Sequence, residues 1–109
     1  MGYARHDQGI HRGYADASSA GDNLVISAQG VGMKIRVVYV IVIAAIANTI
    51  TFKSGSTAIS SAKGVAAQGG FILPRDENGW YETEPNEALN VSLAAAGAVG
   101  IDVGYVVVT

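Results

Sequence analysis

The side chains able to do chemistry fall in two places. His6, Asp7 and His11 crowd the N-terminus, while Asp76, Glu77, Glu82, Glu84 and Glu87 follow one another later with no base among them. Nucleophilic catalysis needs a nucleophile, a base and a group that orients the base, all within reach of one another. Serines are plentiful, but the two histidines both lie in a stretch with no periodic pattern, and no G-x-S-x-G elbow occurs. A histidine on unstructured chain is not held in the geometry that proton transfer requires. The pair is also a poor zinc site, because His6 and His11 lack the spacing that one helical face would supply. Asp76, Glu77, Asn78 and Glu82 offer oxygen ligands of the type calcium takes, without the spacing of an EF-hand loop. Glu77, Glu82, Glu84 and Glu87 supply the carboxylates a glycoside hydrolase pairs, with nothing else to form a cleft. The absence of cysteine removes disulfides, thiolate nucleophiles and Cys-ligated metal centres. Asn90-Val91-Ser92 matches a glycosylation acceptor but falls inside an alternating apolar segment, and Gly69-Gly70 is not followed by the helix that a phosphate loop opens. The expectation is a non-enzymatic chain with no catalytic residue, no metal and no cofactor.

The elements that would position any of these groups read as strands. Half of the 109 residues are hydrophobic and only 15% are charged. Val and Ile far outnumber Leu, which occurs only at Leu24, Leu73, Leu89 and Leu93. β-Branched side chains are stiff at χ1 and suit a pleated surface, and fourteen glycines supply tight connections. Eight segments alternate or run apolar between turn signals: 24–28, 33–47, 49–53, 57–60, 63–68, 71–73, 88–94 and 99–109. About eight short strands at this spacing predict an all-β fold, an antiparallel sandwich or barrel. Ile50 and Phe52 are expected inward with Thr51 and Lys53 outward; Leu89, Val91 and Leu93 inward with Asn90 and Ser92 outward; and Val99, Ile101, Val103, Tyr105 and Val107 on one face. In 33–47 the period places Ile35, Val37, Tyr39, Ile41 and Ile43 on the core face.

Residues 1–21 show neither a period of two nor one of 3.6, and read as a flexible N-terminal arm preceding a β-sandwich domain over 22–109. The first 22 residues are polar and show no apolar core of a signal peptide. The apolar run 37–47 is shorter than the roughly 20 residues that a helix needs to cross a bilayer, and membrane is not an expected partner. The net charge of −2 does not favour nucleic acid, which wants a basic field. The acidic run 76–87 is either a solvated loop or a surface meeting a basic patch on a neighbouring chain.

Two strands share a feature. The second face of 33–47 and that of 99–109 both turn apolar toward the C-terminal end, through Val38, Val40, Val42, Val106 and Val108. Either the chain's own loops cover these residues, or they form a patch where copies of the chain associate. Apolar excess in so small a domain favours the second, and a homotrimer is expected.

The stretches Thr51-Phe52-Lys53-Ser54-Gly55-Ser56-Thr57-Ala58-Ile59-Ser60, Ala66-Ala67-Gln68-Gly69-Gly70-Phe71-Ile72-Leu73-Pro74, Gly79-Trp80-Tyr81-Glu82-Thr83, Glu87-Ala88-Leu89-Asn90-Val91-Ser92-Leu93 and Gly104-Tyr105-Val106 occur in an order that resembles the head decoration (cement) proteins of tailed bacteriophages. The resemblance spans about 33–109. It implies a jelly-roll-like sandwich that trimerises on the exterior of an icosahedral capsid, binds the phage major capsid protein and locks shell edges together. It carries no catalytic residues. In that setting the arm would hold the shell through Tyr3, Arg5, His6, Ile10, Arg12 and Tyr14, types that dominate interface energy. The alternative is a receptor- or glycan-binding head of a phage fibre or spike, for which Trp80 and Tyr81 are the loop aromatics.

Overall fold

The computed structural model of the chain describes residues 9–109. Ten strands follow in order: β1 His11–Ala17, β2 Gly21–Ile26, β3 Lys34–Ala44, β4 Asn48–Ser54, β5 Thr57–Ala58, β6 Lys63–Val65, β7 Gly70–Leu73, β8 Tyr81–Glu82, β9 Leu89–Leu93 and β10 Val99–Val108. One sheet runs β1-β10-β3-β7, with β8 also on β3; the other runs β2-β9-β4-β5, with β6 also on β4. Every pairing is antiparallel. The first strand pairs with the last, the second with the last but one, and so inward to β4 with β5 and β6. That order is a long hairpin rolled up so that it feeds both sheets, the connectivity of a jelly roll.

The two inner faces make one core. β3 and β10 contribute Ile35, Val37, Val40, Val42, Ala44, Val99, Ile101 and Val103; β4 and β9 contribute Ile50, Phe52, Leu89, Val91 and Leu93. All of these are buried, and each of the larger ones contributes about 1.5–3 kcal/mol by leaving water. The faces expected for β4, β9 and β10 are those observed.

The chain enters the fold earlier than expected. Residues 11–17, assigned to a flexible arm ending at 21, form β1 and pair along their whole length with β10, from His11 opposite Tyr105 to Ala17 opposite Val99. The reason no apolar alternation marks this strand is that its inward residues are Gly13, Ala15 and Ala17. Gly13 lies so close to Ile26 that a Cβ there would collide with the isoleucine Cδ1. The space a larger side chain would fill comes from the opposite sheet. β8 is the other strand not anticipated; two residues are too few to show a period.

A second correction concerns β3. Gly104 pairs with Tyr39 but Tyr105 pairs with Val37, so Val38 is an extra residue in β3. Such a bulge shifts every later side chain to the opposite face. Ile35 and Val37 point inward as expected, but beyond the bulge Val40, Val42 and Ala44 take the core and Tyr39, Ile41 and Ile43 face outward. The bulge falls where the chain after β7 bonds back onto β3: the Asp76 N–H donates to the Val38 carbonyl at 2.9 Å and the Trp80 N–H to the Val37 carbonyl at 2.7 Å.

The acidic run finds its partners within the chain. Glu82 on β8 sits between Arg36 at 2.9 Å and Lys34 at 3.6 Å. Glu87 accepts from the Ser54 hydroxyl, which in turn accepts from the Glu84 N–H at 2.9 Å. Thr83 closes the segment against β3, its Oγ1 accepting from the Ile35 N–H at 2.9 Å.

Candidate functional site

The feature that sets one surface apart is the outer face of the β1-β10-β3-β7 sheet. Cross-strand register builds it in rows. Arg12, Gly104 and Tyr39 form one row; Tyr14, Asp102, Ile41 and Ile72 the next; Asp16, Gly100, Ile43 and Gly70 the third. Tyr14 is 73% exposed, Ile72 67% and Ile43 59%. Ile41 stands among them. Ile41, Ile43 and Ile72 stand on neighbouring positions of the adjacent strands β3 and β7 and form an apolar patch, with Tyr14 beyond Asp102 on β1; exposed apolar patches of this kind mark contact surfaces.

The residues expected to form the self-association surface divide. Val40 and Val42 are in the protomer's own core, and Val38 is buried where the 74–80 segment bonds onto the bulge. None of the three is available to a partner, and the bulge is the cause. Val106 and Val108 do lie on the outer side of β10, opposite Arg36 and Lys34, but they are half-buried. The outward residues of β3 are their sequence neighbours, half-buried Tyr39 and exposed Ile41 and Ile43, displaced from the core by one residue of register. The remaining members, Ile72 and Tyr14, come from β7 and β1, which no single stretch of sequence links to β3.

The expected capsid-binding residues also divide. Tyr3, Arg5 and His6 lie outside the described residues. Ile10 precedes β1. Arg12 and Tyr14 belong to β1 and stand on the sheet face itself, so they are part of the folded surface and not of an arm.

Several recesses shape this face, one of them lined by Ile10, Arg12, Tyr39 and Arg75. Between β1, β10 and β3 lies a depression of about 310 Å³ lined by Arg12, Gly13, Tyr14, Tyr39, Ile41 and Asp102. Along β10 Asp102 is flanked by Gly100 and Gly104. Tyr39 lies directly across Gly104, where a Cβ would overlap its ring. Another recess, of about 350 Å³, runs between β3 and β7 along Ile41, Ile43, Gly70 and Ile72 and contains no charged side chain.

The loop aromatics are differently used. Tyr81 stacks on the core residue Phe52, ring centroids 5.4 Å apart and planes 25° from parallel. Trp80 donates from Nε1 to the Pro74 carbonyl at 2.7 Å. Tyr81 presents no free ring, whereas Trp80 remains 39% exposed. The loop carboxylates do not converge: Asp76 accepts from the Asn78 N–H, and Glu82 is held by its two cations. Among the described residues, no three His, Asp or Glu side chains gather in a way that would hold a metal ion. Asn90 donates its side-chain N–H to the Gly55 carbonyl at 2.8 Å, within strand β9.

Comparison with protein-family models, with curated proteins and with solved structures returns no match for this chain.

Proposed function

We propose that this chain is a structural protein of a virus particle, a trimer that decorates the exterior of an icosahedral bacteriophage capsid by binding the major capsid protein. The observation that carries the reading is the bare apolar strip Ile41, Ile43 and Ile72 on one outer sheet face. A second copy of the chain covers that strip in the trimer, and the uncharged recess between β3 and β7 receives its side chains. Jelly rolls recur in viral shell proteins, and the order of motifs along 33–109 resembles phage head decoration proteins. In this reading Tyr3, Arg5, His6 and Ile10 supply contacts to the shell. Repetition of modest contacts by symmetry gives the layer its strength. The role is one of binding, with no reaction catalysed.

Light scattering and sedimentation of the full chain test the assembly, with a trimer expected and monomer alone at all concentrations overturning it. Co-sedimentation with capsids tests the partner: the full chain pellets with shells, and deletion of 1–8 weakens this while the fold persists. A trimer that never pellets with any shell would retain the assembly and remove the capsid role.

A further inference from the structure

The two halves of the exposed sheet face differ in a way that assembly does not use. The half between β3 and β7 is uncharged. The half between β1 and β10 places a carboxylate, Asp102, at the centre of a depression walled by Tyr14, Tyr39 and Ile41, with Arg12 on the rim. Among the described residues, neither Asp102 nor Arg12 has an ion-pair partner; the four pairs present are Lys34–Glu82, Arg36–Glu82, Lys53–Asp22 and Arg75–Glu77. An apolar partner laid over this half would strip water from Asp102 and leave the charge unmatched, which is costly. A phosphate-bearing ligand would meet the same carboxylate with the wrong sign.

We infer that this depression is a saccharide-binding site for a neutral pyranose unit. A pyranose carries hydroxyls that donate and a C–H face that is apolar, and the depression offers both complements. Asp102 accepts from two neighbouring hydroxyls in charge-assisted hydrogen bonds. The guanidinium of Arg12 donates to a ring or hydroxyl oxygen. The C–H face packs against the Tyr14 ring, which is 73% exposed, with Tyr39 and Ile41 as the opposite wall. Gly100 leaves one side of Asp102 clear, while the Tyr39 ring lies over Gly104 on the other. The volume, about 310 Å³, sits at the small end of ligand sites. Every wall comes from one protomer, so the site is complete without the trimer or the capsid, with Ile41 at its border shared with the apolar strip.

The test is an amide-resolved NMR titration of the full chain with the methyl glycosides of glucose, galactose and mannose and with N-acetylglucosamine. Saturable shifts are expected for at least one of the four, confined to 12–14, 39–41 and 100–104. Asp102→Asn is expected to weaken that binding roughly tenfold by removing the charge from its hydrogen bonds, and Tyr14→Ala to weaken it comparably, both with an unchanged spectrum elsewhere. Ile43→Asp, which dismantles the trimer, leaves saccharide affinity unaltered, so failure of the assembly reading and failure of this one are separable. No saturable shift with any of the four up to about 50 mM, well past the millimolar range of weak sites, overturns the inference. Retention of the unsubstituted chain's affinity in both Asp102→Asn and Tyr14→Ala overturns it as well.

Discussion

The outer faces of the two sheets are built from strands with equally well buried inner sides, yet they meet water differently. On the β2-β9-β4 face the outward residues are Asp22, Ser92 and Thr51 in one row and Leu24, Asn90 and Lys53 in the next. Lys53 pairs with Asp22 at 3.0 Å across this face, and Leu24 is its exposed large hydrophobe. On the β1-β10-β3-β7 face, Tyr14, Ile41, Ile43 and Ile72 are exposed together. The contrast originates in β3. β4 and β9 alternate polar with apolar, so one face is written for water. β3 is apolar at nearly every position, so whichever face the bulge turns outward remains apolar. A strand hydrophobic on both sides is usual only where both sides are covered, and here Ile41 and Ile43 on the second side are left exposed by the protomer.

The sharpest way to break this comparison is to place the same charge on adjacent residues of β3. Val42→Asp buries a carboxylate in the core and should cost more than about 4 kcal/mol, the range of the most disruptive single substitutions. Urea denaturation followed by circular dichroism should find it largely unfolded. Ile43→Asp, one residue on, should keep the native urea midpoint measured at low protein concentration and convert the trimer to a monomer. If the two variants behave alike, the bulge at Val38 is misplaced. Thr51→Asp, at the matching outward site of the other sheet, should alter neither.

A smaller effect is expected at Gly104→Ala. The new methyl occupies the place of the Tyr39 ring and forces it off β10, at a cost of about 1–3 kcal/mol for an overpacked site. Chemical unfolding measures it, and loss by NMR of the ring-current shift that Tyr39 imposes on the residue-104 Hα identifies the cause. The smallest is Lys53→Ala. Its pair with Asp22 is partly exposed, so the loss should stay within about 1 kcal/mol and shrink in high salt. A larger loss would mean that the polar face, too, has a structural duty.

Much of the core was legible because a strict period of two survives folding wherever strands pair without irregularity. Ile50 and Phe52, Leu89, Val91 and Leu93, and Val99, Ile101 and Val103 all point where their spacing placed them. Val38, Val40 and Val42 did not, because alternation in a uniformly apolar strand looks the same in either phase. β1 was illegible for the opposite reason: its inward positions are Gly13, Ala15 and Ala17, and smallness gives no hydrophobic signal. The candidate site was the least legible part. Arg12 and Tyr14 stand beside Asp102 and Ile41 only because the first strand pairs with the last.

What the amino-acid sequence determined unaided is the class of fold and an apolar surplus on β3 and β10, since strand propensity and alternation are local properties of the chain. Which residues carry that surplus to the surface was decided by tertiary structure alone. One extra residue opposite Tyr105, held by hydrogen bonds from the 74–80 segment, sets the phase of β3, and no local pattern records a phase that only a partner strand can impose.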